Sequence, residues 1–188
     1  HADKLDHTLS WYEKARPMAR HIAERQGYDG IRWMKMTDPS AAEAPSKVGS
    51  FLIWQQPHLI HLAELVYRAN PSKVTLEKYF KLIQETAEFM YSFADYDEPN
   101  DRYILKGIIP AQETLRAAET MNPPLELSSW HYGLSTAQLW RERMGMKRVP
   151  EWDDLLEKLS PLAADDQDRY LAAETATDSY TNTRYLTD

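Results

Sequence analysis

Residues 104–130 contain the acidic side chains that are best suited to proton transfer. Glu113 follows the apolar pair Ile108 and Ile109. A carboxyl group against an apolar wall has a raised pKa because burial disfavours the anion, and a carboxyl that stays protonated near neutral pH can act as a general acid. The same stretch also fits a solvated loop, in which Glu126 would be an equivalent candidate. Glu113 is therefore a candidate general acid that needs support from its neighbours.

A second group of polar and aromatic side chains lies between residues 28 and 58. Its candidate ligand-binding residues are Trp33, Asp38, Glu43, Trp54, Gln55 and His58. An indole ring stacks on the apolar face of a pyranose, while carboxylates and amides hydrogen-bond the hydroxyl groups. The alternative is a loop that is anchored by its tryptophans and capped by its own Asp and Ser side chains. Together with Trp130 and His131, this group predicts an oligosaccharide or glycoside substrate.

Metal and cofactor chemistry has less support in the sequence. Glu64 lies about 240° around a helix from His58, at about 100° per residue, so these two residues and His61 do not share one face. We therefore expect no metal site. The sequence contains neither a Gly-rich phosphate loop nor a nucleophile-elbow pattern around a serine, and we expect no cofactor. The segment with Glu174 and Asp178 fits a polar capping segment.

Composition places the chain among ordinary globular domains. Its 188 residues suffice for one domain with a core, and its 43% hydrophobic residues exclude a disordered chain. The net charge of −7 argues against nucleic acid as a partner. We expect no membrane span, because no apolar run reaches the roughly 18 residues that one needs. The lack of cysteine excludes disulfides and thiol catalysis, and it fits either side of a membrane.

Apolar residues recur with helical rather than strand periodicity, so we predict an all-α fold with no sheet larger than two short strands. Five helices are predicted: Leu5 to Ala23, Pro57 to Asn70, Thr75 to Phe93, Leu134 to Met144, and a last one from Pro150. The first should stop at Gly27, and Pro17 should give it a kink or a late start. The second is apolar nearly all round, as an interior helix is, whereas the third has a single apolar stripe. This alternation predicts a ring of antiparallel helical hairpins with a site at one mouth.

Three stretches resemble the six-hairpin glycosidases, the (α/α) toroids that include glycoside hydrolase families 65 and 95. The segment GYDGIRWMKMTDPS resembles the one that lines their substrate site, and IWQQPHLIHLAELVYR resembles the inner helix that follows it. In family 65 the general acid is the last residue of a Lys/Arg-Gly-x-x-Gly-Pro-Asp-Glu stretch. KGIIPAQE, residues 106–113, matches that stretch in length and places Glu113 in register, with Pro110 one place early and Gln112 in place of the Asp.

The resemblance implies a catalytic domain and a reaction. A toroid of twelve helices needs well over about 200 residues, so residues 1–188 would be part of one α/α-toroid catalytic domain. It would be an inverting glycosidase in which Glu113 protonates the glycosidic oxygen while a carboxylate about 6.5–9.5 Å away activates water. That base usually comes from further along the chain, so this portion alone could be inactive. Phosphorolysis is the alternative reaction.

Two other classes of function stay open. A non-catalytic α-hairpin module would bind protein or sugar through the same aromatic mouth. A polysaccharide lyase on a related toroid would use a Tyr and a His as base and acid, with His131 and Tyr132 as the candidates. A sugar site further predicts that Trp33, Trp54 and Trp130 lie together at one end of the helices. The compartment stays open, with a periplasmic or extracellular location slightly favoured.

Overall fold

The computed structural model describes residues 2–111 and 113–182, which form a mainly helical fold. The helices are α1 Ala2–Arg25, α2 His58–Ala69, α3 Lys73–Phe93, α4 Pro124–Arg143 and α5 Pro150–Lys158. Strands β1 Asp95–Asp97 and β2 Arg102–Ile104 form an antiparallel hairpin. Short 3₁₀ turns occupy Gly49–Phe51, Glu98–Asn100 and Ala117–Glu119. The prediction of a helical protein with no sheet beyond two short strands is confirmed for these described residues.

The first loop, residues 26–57, begins where α1 stops at a glycine. Gly27 has a φ of +82°, and the Tyr28 N–H donates to the Ala23 carbonyl at 3.0 Å, as in a Schellman cap. The predicted stop of this helix is therefore confirmed. Pro17 lies inside α1, which starts before the proline rather than after it.

The cap of α3 is one turn earlier than the sequence indicated. The Ser72 side chain accepts a hydrogen bond from the Thr75 N–H at 3.1 Å, so Ser72 is the N-cap and Thr75 is its donor. Both residue types favour helix starts, because a short side-chain oxygen can reach the free N–H groups of the first turn. The predicted position of the helix itself is confirmed.

α4 starts at Pro124, well before the predicted start near Leu134. A proline suits the first turn, where its missing N–H is not needed. Trp130 and Leu134, one turn apart, are both fully buried. This packing stabilises a helix whose serine and glycine residues are weak helix formers. The second loop therefore spans residues 105–123, and Glu126 lies on a helix rather than on that loop.

α2 and α4 lie side by side and run in the same direction. His61 of α2 contacts Tyr132 of α4, and further along both helices Glu64 accepts hydrogen bonds from Trp140 and Arg143 at 2.7 and 2.6 Å. α1 packs on α2, and α3 packs on both α2 and α4. The first and second loops lead into α2 and α4, and they therefore meet at the same end of the helices.

Candidate functional site

A cavity of about 200 Å³, which we call the loop cavity, opens between α1, the first loop and the start of α2. Its wall includes four of the predicted binding residues: Trp33, Trp54, Gln55 and His58. Trp11, Tyr12, Arg32 and Lys35 contribute further parts of the wall. The structure thus brings aromatic, amide and charged groups from α1, the first loop and the start of α2 around a single space.

Trp33 has a fixed orientation in this wall. Its indole N–H donates to the Thr86 hydroxyl of α3 at 3.0 Å, and its backbone N–H donates to Gln56 Oε1 at 2.8 Å. The Tyr12 ring meets the indole edge to face, with 4.8 Å between the ring centroids. Because only 5% of Trp33 is exposed, it can offer a ligand only a small part of its ring.

Trp54 and Gln55 each present a buried polar atom without a partner among the described residues. These atoms are the Trp54 indole nitrogen and the Gln55 carbonyl oxygen, Oε1. The Gln55 amide nitrogen is already engaged, because it donates to the carbonyls of Trp33 and Leu52 at 3.0 and 3.1 Å. Buried polar groups normally have a hydrogen-bond partner. Both atoms are buried, so this wall would have to open before a sugar hydroxyl group could reach the free donor or the free acceptor.

His58 lies beside Trp54 at the opening of the loop cavity. The two ring centroids are 5.2 Å apart, in an edge-to-face arrangement. The residue as a whole is exposed, but desolvation of its ring lowers the pKa of His58, and the nearby His61 lowers it further. A lowered pKa favours the neutral imidazole near neutral pH, which can both donate and accept a hydrogen bond.

Asp38 and Glu43 serve the first loop and are not among the residues that line the loop cavity. Asp38 Oδ1 accepts from the N–H groups of Ser40 and Ala42 at 2.8 and 3.0 Å and from the Ser40 hydroxyl at 2.6 Å. The Ser40 hydroxyl is the main cause of the lowered pKa of Asp38. Glu43 pairs with Arg25 at 2.8 Å, next to a separate hollow beside α1. These local contacts correspond to the capped-loop alternative, and they leave neither carboxylate facing the tryptophans.

Glu113 contacts the wall of the loop cavity through Lys35. The Lys35 ammonium donates to Glu113 Oε1, which joins the second loop to the first. Glu113 has a left-handed backbone with φ +61°, and its N–H donates to the Pro110 carbonyl at 2.8 Å to close a turn. Such a conformation is uncommon for a residue other than glycine, and strained backbone is frequent at functional sites. The turn presents the Glu113 carboxyl group at the rim of the cavity.

The apolar wall predicted for Glu113 is absent from its surroundings, because Ile108 and Ile109 face the core. Ile108 is fully buried, and Ile109 is also buried, with its N–H donating to the Phe51 carbonyl at 2.9 Å. The Ile109 hydrogen bond therefore fastens the second loop to the first. The Glu113 side chain is 33% exposed and is paired with the Lys35 ammonium.

Glu126, in the first turn of α4, is the carboxyl group that the fold buries. It is 0% exposed, its Oε1 accepts from the Ala111 N–H at 2.9 Å, and its Oε2 has no partner among the described residues. Burial raises the pKa of Glu126 to about 7, although backbone N–H donors oppose the shift. Glu126 precedes the buried Trp130 by four residues, so a correct start for α4 would have placed both on the buried face.

Trp130 and His131 do not lie at the loop cavity. Trp130 is 0% exposed, and its indole N–H donates to the Met90 carbonyl at 2.8 Å, so its ring belongs to the core and offers no surface to a ligand. His131 is exposed on α4. Its neighbour Tyr132 instead contacts α2, with 2.8 Å between its hydroxyl oxygen and His61 Nδ1. The expected grouping of three tryptophans is thus reduced to two.

Residues 2–111 and 113–182 contain neither a cluster of metal-ligating side chains nor a membrane-spanning helix. Within this part of the chain there is no group of three or more His, Asp or Glu residues that could hold a metal ion. No helix described there is both long and apolar enough to cross a membrane.

The chain shares its fold with a solved structure. No protein-family model and no curated protein matches the sequence. The structure described as "Putative kojibiose phosphorylase from human microbiome" has a TM-score of 0.75 with this chain at 10% sequence identity. The match covers 88% of this chain and 26% of that chain, so this chain spans about a quarter of that protein's length. At this identity the likeness shows the fold alone.

Proposed function

We propose that the chain is part of an α/α-toroid enzyme that cleaves glycosidic bonds, with the loop cavity as the sugar site and Glu113 as the general acid. The main support is the contact between Glu113 and Lys35, because it sets a carboxyl group at the rim of a cavity with two tryptophans. The shared fold with a structure named as a kojibiose phosphorylase supports the same class of chemistry.

The size and polarity of the loop cavity suit a single sugar ring. Its volume of about 200 Å³ is below the roughly 300–1,000 Å³ of sites for drug-sized ligands. The indole N–H of Trp54 and Oε1 of Gln55 have no partner, and each could engage one hydroxyl group once the wall opens around them. Trp33 and His58 then limit the orientation of the ring. This arrangement favours one terminal sugar over the middle of a long polysaccharide.

The reaction breaks the bond between the anomeric carbon and the glycosidic oxygen. Glu113 gives its proton to that oxygen, which leaves as an alcohol. In hydrolysis the anomeric carbon forms its new bond to a water molecule whose proton passes to a second carboxylate, the general base. In phosphorolysis the new bond is to an anionic phosphate oxygen, and no base is needed. In the free protein the Lys35 ammonium group donates a hydrogen bond to the Glu113 carboxyl group. Because Lys35 contacts Oε1, the proton leaves from the other carboxyl oxygen, Oε2, while the ion pair keeps the turn in position.

The Glu113→Gln variant of the full-length protein tests the acid role. Turnover of a disaccharide should fall by about 10²–10⁴-fold, whereas turnover of 4-nitrophenyl glycosides should fall much less, because their leaving group needs little protonation. Glu119→Gln, in the same loop and also exposed, is the matched control. Assays with and without inorganic phosphate distinguish hydrolysis from phosphorolysis by the sugar or sugar phosphate formed. Equal losses on both substrate types exclude the acid role, and sugar binding without turnover favours the non-catalytic module.

A lyase is the second candidate, and the contact between His61 and Tyr132 favours it. The Tyr132 hydroxyl oxygen lies 2.8 Å from His61 Nδ1, in a groove between the first turn of α2 and the second and third turns of α4. A tyrosine and a histidine in contact can exchange a proton with substrate, which is what elimination requires. Tyr132→Phe should then abolish formation of an unsaturated product. If the protein is a glycosidase, Tyr132→Phe should leave turnover intact, and Glu113→Gln should still lower it.

A further inference from the structure

The turn between Pro110 and Glu113, which we call the Glu113 turn, is tied to the first loop by two contacts. Just before the turn, the Ile109 N–H donates to the Phe51 carbonyl at 2.9 Å. At its end, the Glu113 carboxyl group contacts Lys35, whose side chain is long and flexible. Both partners belong to a loop, so these two contacts fix the turn to no helix.

Glu126 supplies a third contact, from the first turn of α4. Its Oε1 accepts a hydrogen bond from the Ala111 N–H at 2.9 Å, and the glutamate is fully buried. Ala111 lies inside the Glu113 turn, two residues before Glu113. A group on a helix holds its partner more precisely than a group on a loop does. Glu126 therefore fixes the position of the Glu113 turn relative to α4.

The start of α4 explains why the Glu126 carboxyl group reaches out of its own helix. Pro123 is the N-cap, so Glu126 is the third helical residue. In a capping box, a glutamate at that position accepts a hydrogen bond from the backbone N–H of the N-cap residue. Proline has no N–H group. The carboxyl group is thus available to the Ala111 N–H instead.

Burial of this carboxyl group is unfavourable, and packing alone does not account for it. Glu126 is 0% exposed, and its Oε2 has no partner among the described residues. Burial disfavours the anion and raises the pKa of Glu126 to about 7. An apolar side chain of similar size would fill the same space without desolvation of a charge. Groups that lower stability in this way are expected at functional sites.

We propose that Glu126 is a positioning residue for the general acid: its Oε1 holds the Ala111 N–H and thereby sets the place of the Glu113 carboxyl group at the rim of the loop cavity. This inference rests on the proposed role of Glu113. Glu126 acts through the Glu113 turn and does not contact the substrate. Its role requires a hydrogen-bond acceptor rather than a charge, because a neutral carboxyl group keeps one oxygen that can accept.

Turnover of two substrate types by the full-length protein tests this role. The substrates are disaccharides of the common hexoses, screened first on the wild type, and the matching 4-nitrophenyl glycosides. Glu126→Met removes the acceptor and keeps the length of the side chain. It should lower kcat for the disaccharide by roughly tenfold to a hundredfold, because the acid is misplaced. The 4-nitrophenyl glycoside should lose much less, since its leaving group needs little protonation.

Two further variants separate the acceptor from the charge. Glu126→Gln keeps an amide oxygen for the Ala111 N–H and should retain turnover of both substrates. Glu126→Asp keeps the carboxyl group but withdraws it from Ala111, so it should reproduce the selective loss of Glu126→Met. The aspartate variant also serves as the test if Glu126→Met fails to fold.

Gln138→Met is the matched control for the loss of a buried hydrogen bond in α4. Gln138 is also 0% exposed, and its Oε1 accepts from the Val149 N–H at 3.0 Å, further along the helix and away from the Glu113 turn. This variant should lower the midpoint of urea unfolding. It should leave the ratio of turnover on the two substrates unchanged, because it does not act on the general acid.

The outcomes separate this inference from the proposed function. Equal losses on both substrates in Glu126→Met would mean that Glu126 only stabilises the fold, and wild-type turnover would mean that the turn needs no support from α4. A loss in Glu126→Gln as large as in Glu126→Met would mean that the acceptor is not what matters. Each of these results overturns the inference, while a selective loss in Glu113→Gln preserves the acid role. No selective loss in Glu113→Gln would overturn the proposed function together with the inference.

Discussion

Lys35 and Glu113, which are 78 residues apart in the chain, form an ion pair that joins the first loop to the second. Lys35 lines the loop cavity, so the pair connects the candidate acid to the candidate sugar site. The Lys35 and Glu113 side chains are 29% and 33% exposed, and an ion pair that solvent still reaches typically contributes about 1 kcal/mol or less to stability. Its importance is therefore expected in activity rather than in folding.

Lys35→Met should lower kcat roughly tenfold to a hundredfold, because the Glu113 turn loses the contact that positions it. The free energy of unfolding should change by less than about 1 kcal/mol. In the double variant with Glu113→Gln, the loss should equal that of Glu113→Gln alone. Lys47→Met, an exposed lysine in the same loop, is the control. Losses that multiply in the double variant would mean that Lys35 acts on the substrate independently of Glu113.

Glu126 should make the protein less stable as the pH rises. Its pKa is raised from 4.5 to about 7 in the folded protein, so between these values the folded state binds a proton that the unfolded state has released. The contribution of Glu126 to the free energy of unfolding is therefore most favourable below pH 4.5. It decreases between pH 4.5 and about pH 7 and is constant above that. The total decrease is roughly 3 kcal/mol.

Urea unfolding at pH 5 and pH 8 measures this effect. Glu126→Gln should remove most of the difference between the two pH values, because a neutral amide does not titrate, and it should be the more stable protein at pH 8. Glu119→Gln, with its side chain exposed, should keep the wild-type pH dependence. The same slope in wild type and Glu126→Gln would contradict a raised pKa at this residue.

Glu64 should stabilise the contact between α2 and α4, and it should do so only above acidic pH. Burial alone would raise its pKa, but hydrogen bonds from Arg143, Arg68 and Trp140 lower it to about 2. The lowered pKa adds stability that is fully present above the unfolded value of 4.5 and is lost as the pH falls from there toward 2.

Arg143→Leu should reduce the free energy of unfolding by about 3 kcal/mol at neutral pH, because Arg143 is only 21% exposed and makes two hydrogen bonds to a Glu64 carboxylate that is 1% exposed. Arg68→Leu is the matched control: the arginine side chain is 66% exposed, so its loss should cost less than about 1 kcal/mol. Chemical unfolding of both variants decides the point. Equal destabilisation by the two substitutions would show that burial of the pair is not what matters.

Gly30→Ala should unfold the start of the first loop. An alanine Cβ at this position would lie 2.2 Å from the Glu85 carbonyl oxygen of α3 and would need a φ of +72°. Gly27→Ala is the control, because it has a φ of +82° but nothing within 4 Å of the added Cβ. Chemical unfolding should show that the control lowers the free energy of unfolding by about 1–2 kcal/mol, from backbone strain alone. Gly30→Ala should lower it by at least about 2 kcal/mol more. Similar losses would mean that the loop moves away from α3 without penalty.

Features that depend on local spacing were predictable from the sequence. The stop of α1 at Gly27 and the positions of α2, α3 and α5 follow from apolar periodicity and from residues that end or cap helices. Trp33 and Trp54 meet at one cavity because they belong to one continuous segment between two of those helices. The same local reasoning missed the start of α4, since weak helix formers concealed a stripe that is stabilised only by burial.

Only the tertiary structure decided which polar groups are buried and which partners they meet. Asp38 caps its own loop, Trp130 enters the core, and Glu126 rather than Glu113 is the buried carboxyl group. These outcomes depend on contacts between segments that are far apart in the chain, such as Ala111 with Glu126. Residue type and spacing specify what a side chain can do, whereas packing determines its desolvation and its neighbours, and therefore its chemistry.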